Sequence, residues 1–227
     1  MVSDIDPYSS SPVTVPLDRK PSSQPLPRTA KIILDLIGAG SLIVVLSPLL
    51  LAIALLVKLD GGPVLYAHPR VGMGKRRFRC LKFRSMKQDS AALLEHVLST
   101  DAVAAIEWGA TQKLRNDPRV TRIGAFLRRT SLDELPQLLN VLRLEMSLVG
   151  PRPIVEDEIE FYGAEIACYY VTRPGLTGLW QVNGRSNTTY RERVQFDTWY
   201  VKDWTLWQDF VILAKTVPAV LKRTGAV

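Results

Sequence analysis

Twenty-two successive residues, Leu36 to Val57, carry no charged side chain. A straight helix of that length rises roughly 33 Å, enough to match a hydrocarbon core of roughly 30 Å. Two details bear on how such a run meets a bilayer. Pro48 lies near its middle, where a proline removes a hydrogen bond and kinks the axis, and Ser47 before it can satisfy the freed carbonyl. Basic residues stand on both sides, with Arg19, Lys20, Arg28 and Lys31 before the run and Lys58, Arg70, Lys75, Arg76, Arg77 and Arg79 after it. Positive charge marks the cytoplasmic side of a membrane helix, so both ends are expected on that side. The run therefore reads as a re-entrant helix over 29–60, broken at Ser47-Pro48. A simple span and a buried core helix are the alternatives.

Residues 1–28 are rich in Ser and Pro, lack periodicity and read as a disordered tail. They do not resemble a secretory signal, because the apolar run starts late and no small-residue cleavage site follows it. Residues 61–227 remain for a cytoplasmic domain. The chain has 227 residues, 47% of them hydrophobic, so a real core is affordable and repeat or collagen-like architectures are excluded. Only two histidines (His68, His96) and two cysteines (Cys80, Cys168) occur, which argues against a zinc site, a His-based triad or a disulfide framework. The net charge of +7 points to an anionic partner.

Much of that charge sits in one place. Arg70, Lys75, Arg76, Arg77, Arg79, Lys82, Arg84 and Lys87 form a stretch of eight basic residues with no acidic one. Such a stretch suits anionic phospholipid headgroups, at roughly 1 kcal/mol per basic residue near the surface, and some of it could serve phosphate binding as well. Alternation in Arg79-Cys80-Leu81-Lys82-Phe83-Arg84 fits a strand or an extended surface segment. Helices are expected over 88–112, 132–143 and 154–170 and along 190–223, where Trp199, Tyr200, Trp204 and Trp207 suit either a membrane interface or a core. The fold expected is mainly α with a small β element (α+β), in a monotopic membrane protein with interfacial amphipathic helices.

Three segments could carry chemistry. In Ser131-Leu132-Asp133-Glu134-Leu135-Pro136-Gln137, Ser131 and Glu134 have the spacing of a capping box, and acidic residues in a first turn need no catalytic duty. Yet Arg115, Arg119, Arg122, Arg128 and Arg129 crowd the approach, and two carboxylates on an anion-binding surface call for a divalent cation or a reaction. In Gly150-Pro151-Arg152-Pro153 two prolines fix the backbone around one guanidinium, which suits a phosphate, although a plain turn reads the same. The span from Arg173 to Arg185 carries three glycines and Asn183, and would wrap a nucleotide or serve as an ordinary loop. Gly72-Met73-Gly74 lacks the third glycine and the βαβ setting of a dinucleotide fingerprint and is rejected as one.

Taken in order, these segments resemble the bacterial sugar transferases, the monotopic phosphoglycosyl transferases, over roughly residues 28–224. The resemblance rests on Lys82-Phe83-Arg84-Ser85-Met86, Asp117-Pro118-Arg119-Val120-Thr121-Arg122-Ile123-Gly124, Thr130 through Gln137, Gly150-Pro151-Arg152-Pro153, Pro174-Gly175-Leu176-Thr177-Gly178 and the proline-broken helix. It implies transfer of a sugar-1-phosphate from a UDP-sugar to undecaprenyl phosphate at the bacterial inner membrane, in exopolysaccharide synthesis, with galactose and glucose as leading candidates. Asp133 would be the nucleophile and Glu134 its partner on Mg²⁺. Lys82, Arg84, Arg128, Arg152 and Arg185 would contact diphosphate and nucleotide. No nucleic acid is expected as a partner, and a homodimer is compatible. The chain matches the short form that lacks a multi-span extension. It departs from the family pattern at His68-Pro69-Arg70, where a Gln is expected, and at Leu144-Glu145-Met146-Ser147, where Gly-Asp-Met-Ser is usual.

Two rival functions make different demands. A membrane-anchored polyanion-binding module accounts for the basic stretch but leaves Asp133-Glu134 and the Arg152 loop idle. An ordinary glycosyltransferase moves the sugar without its phosphate, and so releases a nucleoside diphosphate rather than a monophosphate.

Overall fold

The computed structural model describes residues 28–111, 114–184 and 188–221. Of the expected tail over residues 1–28, residues 1–27 lie outside them, as does Arg185, and Arg28 opens the first helix instead. The apolar run forms helix α1, Arg28–Leu59, unbroken in secondary structure with Pro48 inside it. Pro48 has no N–H for the carbonyl of Val44, and the Ser47 hydroxyl donates to that carbonyl instead, at 2.8 Å. The expected local compensation is present.

Strands β1 (Leu65–Val71) and β2 (Arg77–Phe83) form an antiparallel hairpin in which Leu65 faces Phe83 and Val71 faces Arg77. The Gly72-Met73-Gly74 segment is its turn, with Gly74 at φ 64° and Lys75 at φ 63°, which explains its glycines without any nucleotide. Helices α2 (Ser90–Thr100) and α3 (Ala102–Thr111) follow, then α4 (Arg122–Thr130), capped by the Thr121 hydroxyl accepting from Gly124 N at 2.9 Å. Next come a 3₁₀ turn over Leu132–Glu134 and helix α5, Gln137–Leu142. The short strands β3 (Ser147–Val149) and β4 (Gly175–Thr177) pair in parallel. Between them the expected acidic helix is broken into 3₁₀ turns, α6 (Ile159–Tyr162) and α7 (Ile166–Tyr170). Helices α8 (Leu179–Asn183), α9 (Tyr190–Lys202) and α10 (Leu206–Leu221) complete the chain. The molecule is mainly helical with two small sheets, as expected.

Helix α1 covers two of the three apolar clusters. Ala39 and Ile43 pack on Phe78, Leu138, Val141, Leu148, Tyr200 and Ile212. Farther along, Leu50, Ile53, Ala54 and Val57 pack on Phe83 and Leu127. The third cluster, Val71, Ile154, Tyr162, Tyr169 and Val194, lies under α6, α7 and α9. Of the C-terminal aromatics, Tyr200 is core and Trp207 is exposed.

Asn140 sets the hairpin against this core. Its Oδ1 accepts from Leu81 N at 3.0 Å and its Nδ2 donates to Arg79 O at 2.8 Å, as a neighbouring strand would. Fully buried on α5, it fixes β2 in register beside the 3₁₀ turn. That register puts Lys82 where it matters.

Candidate active site

The turn that carries Asp133 and Glu134 does not start the helix the sequence suggested. Ser131 is the C-cap of α4, in the left-handed region at φ 56°, and its side chain caps nothing. The capping box is therefore absent, and the physical reason is direct: Glu134 turns to Lys82 rather than back to the Ser131 N–H. Reversing the chain at Ser131 lets two consecutive carboxylates face β2. On the other side α4 lies so close to the segment after β2 that a Cβ on Gly124 would collide with the Ser85 carbonyl.

Lys82 Nζ donates to Glu134 Oε1 at 2.6 Å and lies 3.9 Å from Asp133 Oδ2. Asp133 is 8% exposed. Burial raises its pKa to about 6; Glu134 adds to the rise, while Lys82 and Arg128 oppose it. Burial also works against charge on Glu134, but Lys82, Arg152 and Arg70 outweigh it and hold that carboxyl below its ordinary range. Two neighbouring carboxylates are thus driven apart: one firmly ionised, the other with a proton within reach near neutrality. Arg128 Nε donates to Ser85 Oγ at 2.9 Å, which holds this arginine on the Asp133 side.

The turn borders a shallow open cleft, lined among others by Arg70, Lys82, Glu134, Gln137, Arg152 and Gln181. The Gly150-Pro151-Arg152-Pro153 turn is one wall. Gly150 N donates to Thr177 O at 2.9 Å and Gly175 N to Pro151 O at 2.7 Å, while Pro153 O accepts from Arg70 Nη1 at 3.1 Å. A side chain at Gly175 would strike Gly150, so β3 and β4 meet at the only separation that glycine permits. The Arg152 guanidinium lies 5.8 Å from the Trp180 ring centroid and that of Arg193 lies 4.6 Å from it.

The structure brings Lys82, Glu134 and Arg152 to one cleft, leaves Asp133 beside it, 3.9 Å from Lys82, and sets the Arg128 charge close enough to act on Asp133. Arg84 goes elsewhere: it is buried, and its Nη2 donates to the Val57 carbonyl at the end of α1, at 3.0 Å. Sequence reasoning missed Arg70, Gln137, Gln181 and Arg193 as members or neighbours of the cleft. Arg70 stands one residue before the end of β1, and its side chain reaches the Pro153 carbonyl and Glu158. Magnesium needs only one or two carboxylates when substrate phosphates and waters complete its six oxygens. Asp133 and Glu134 supply that donor set, and no group of three or more His, Cys, Asp or Glu suited to a metal occurs among the described residues.

Comparison with known proteins identifies the family. The family model described as "Bacterial sugar transferase" matches residues 26–223. The chain is 56% identical to the UDP-galactose-lipid carrier transferase of Erwinia amylovora over 207 residues, which are 91% of this chain and 43% of that protein. It is 50% identical to the undecaprenyl-phosphate galactose phosphotransferase of Salmonella typhimurium, again over 91% of this chain and 43% of the relative. With the exopolysaccharide production protein ExoY of Rhizobium meliloti it shares 49% identity over 96% of both chains. It thus spans less than half of the first two relatives and nearly the whole of the third. The chain belongs to the bacterial sugar transferase family.

Proposed function

We propose that this protein is a phosphoglycosyl transferase that moves a hexose-1-phosphate, galactose or glucose, from a UDP-sugar to undecaprenyl phosphate and releases UMP. The observation that carries the reading is the pairing of a buried Asp133, its pKa near 6, with an ionised Glu134 at the rim of an arginine-lined cleft. A carboxylate nucleophile must be free of its proton, close to an anionic diphosphate and shielded from water. Above pH 6 Asp133 meets the first need. Lys82, Arg70 and Arg152 offset the negative charge that the donor brings. Asp133 Oδ attacks the phosphorus that bears the sugar, the bridging P–O bond breaks, and UMP leaves with the bridging oxygen. An oxygen of undecaprenyl phosphate then attacks the same phosphorus and displaces Asp133, so both product and free carboxylate are regenerated. Mg²⁺ held by Glu134 and Asp133 would, when bound, screen the diphosphate charge. The names of the relatives, which speak of a lipid carrier, undecaprenyl phosphate and exopolysaccharide, support the acceptor and the pathway.

The same reading places α1 as a re-entrant anchor in the inner membrane, with residues 61–227 on the cytoplasmic face. Helix α1 is long and apolar enough to reach a bilayer and is only 11% buried over its most apolar window. Both its ends are tied to the same folded body, Lys31 to Asp209 at 2.6 Å and the Val57 carbonyl to Arg84. A helix crossing to the far side would leave one end without the domain. Exposed Val103 and Ile106 on α3, Phe126 on α4 and Trp207, Phe210 and Val217 on α10 supply apolar contacts for an interface.

Product release tests the proposal. With Mg²⁺, undecaprenyl phosphate and a panel of UDP-sugars, the expected product is UMP, dependent on the lipid and on Asp133. UDP in its place would assign the protein to the glycosyltransferases that leave the phosphate behind. For topology, single cysteines on either side of α1 should both label from the cytoplasm. Replacing Pro48 by Leu should straighten the path and send residues 1–27 across; tail labelling unchanged by that substitution counts against the re-entrant anchor.

A further inference from the structure

Beside the cleft stands a pair of positive charges that the reaction above uses only in part. Trp180, on α8 and 5% exposed, carries two arginines over its indole ring: the Arg152 guanidinium at 5.8 Å from the centroid and that of Arg193 at 4.6 Å. Both are cation–π contacts. The local chain fixes the three partners. A Cβ on Gly178 would strike the Gly150 carbonyl, so α8 starts pressed against the Arg152 turn and delivers Trp180 beside it. Arg193 comes from the first turn of α9, behind the Thr189–Glu192 capping box, and its Nε donates to Thr188 Oγ1 at 3.3 Å.

Neither guanidinium has a counter-charge. Among the described residues the ion pairs of arginine belong to Arg70, Arg77 and Arg119. Asp197, four residues on from Arg193, is 2% exposed and accepts from the Tyr162 hydroxyl at 2.7 Å. Burial pushes its pKa up to about 8, so near pH 7 it is mostly neutral and offsets neither arginine. Burial, and then the Arg152 charge, hold the Arg193 guanidinium below its ordinary range. The quadrupole of one ring offsets only part of the repulsion between two like charges, and an anion held by both would offset the rest.

We infer that Arg193 is a donor-binding residue: with Arg152, across the Trp180 ring, it takes the phosphate that stays with the nucleoside. The inference rests on the phosphoglycosyl-transfer reading, and the order of groups along the wall selects the phosphate. Asp133 must meet the phosphorus that bears the sugar, at the Lys82 and Glu134 end of the cleft. Arg152 lines the cleft with Lys82 and Glu134, and Arg193 is reached from it across Trp180. The next phosphate along the donor is the one released with the nucleoside, and a pair of planar guanidinium forks suits its oxygens.

Equilibrium binding to the full chain in detergent, with Mg²⁺ and without acceptor, tests this with UMP and uridine as probes. Arg193→Ala is expected to weaken UMP about tenfold and uridine less than about twofold. Arg193→Lys, which restores the charge without the planar fork, should recover part of the loss. In turnover the donor KM should rise by a similar factor while the KM for undecaprenyl phosphate stays nearly unchanged. Should Arg193→Ala fail to fold, Arg193→Gln, which keeps part of the stem, takes its place with the same split between UMP and uridine. UMP binding that survives the loss of Arg193 overturns the inference. So do equal losses for UMP and uridine, which a merely structural role would give, and a rise confined to the acceptor KM, which would assign the pair to the lipid phosphate. Wild-type protein that binds no UMP overturns the inference together with the reaction it rests on, whereas failure of the inference alone leaves wild-type UMP binding intact.

Discussion

Two buried ion clusters in this molecule have almost the same inventory and opposite characters. At the root of α1, Lys31 meets Asp209 at 2.6 Å and Asp35 at 4.0 Å. At the cleft, Lys82 meets Glu134 at 2.6 Å and Asp133 at 3.9 Å. The first is saturated with further donors. Asp35 accepts from Ser147 Oγ at 2.7 Å and Leu148 N at 3.1 Å, and Asp209 accepts from Tyr200 Oη at 2.7 Å and Trp204 Nε1 at 3.1 Å. In the second, Asp133 receives no side-chain hydrogen bond among the described residues, and Lys82 spends its close contact on Glu134. A carboxylate fully satisfied by its neighbours gains nothing by reacting, whereas one left short of donors is raised in energy and ready for a new partner. The first cluster clips the apolar helix to the domain; the second is the one proposed above to react.

That contrast is open to attack, starting with the largest effect. Asp133→Asn should lower turnover on the order of 10³-fold or more while membrane association persists, as measured by lipid-dependent UMP release and by vesicle flotation. Appreciable transfer by the pure variant would remove Asp133 as the nucleophile. Asp209→Ala should act in the other currency: it leaves Lys31, Tyr200 and Trp204 without their shared acceptor and should cost about 3–5 kcal/mol of stability, read by denaturant unfolding in detergent.

A smaller effect separates the two clusters by pH. The pKa of Asp133 is raised on folding from 3.8 to about 6, so this group favours the folded state most below pH 3.8, and that advantage is lost as pH rises through 6. Asp133→Asn should therefore unfold later than wild type at pH 7.5, by about 2 kcal/mol, with the gain gone near pH 4. Turnover of the wild type should fall in the reverse sense, dropping below pH 6 as the nucleophile takes its proton. A flat rate between pH 5 and 7.5 would be inconsistent with a carboxylate of that pKa in the rate-limiting attack. Smallest of all, Ser47→Ala removes the donor to the Val44 carbonyl and should cost about 1 kcal/mol or less, visible as earlier thermal unfolding and not as a change in rate.

How much of this was legible beforehand depends on range. The apolar helix, the Ser47-Pro48 compensation and the strand at Arg79–Arg84 come from neighbours within four residues, and the structure has all three. Asp133 and Glu134 were legible as a pair, but the helix start assigned to them was not the one that formed. Ser131 takes the left-handed conformation because the chain must leave α4 and deliver both carboxylates to β2, and that demand overrides the local capping preference. Arg84 stands two positions from Lys82, where a continuing strand would give both the same face. Strand β2 ends at Phe83, and α1 claims the Arg84 guanidinium with a terminal carbonyl that no motif announces.

The sequence by itself thus determined a membrane-seeking helix, a basic hairpin, two adjacent carboxylates and a stiff Arg152 turn, because hydrophobicity, periodicity and proline act on nearby residues. Only the tertiary structure decided that Lys82 crosses 52 positions to reach Glu134, that Gly150 and Gly175 close β3 on β4, and that the buried Asp197 meets the Tyr162 hydroxyl. Those choices follow from packing and from the cost of leaving buried charges and N–H groups unpaired, quantities that belong to residues distant in sequence and have no value until the chain has folded.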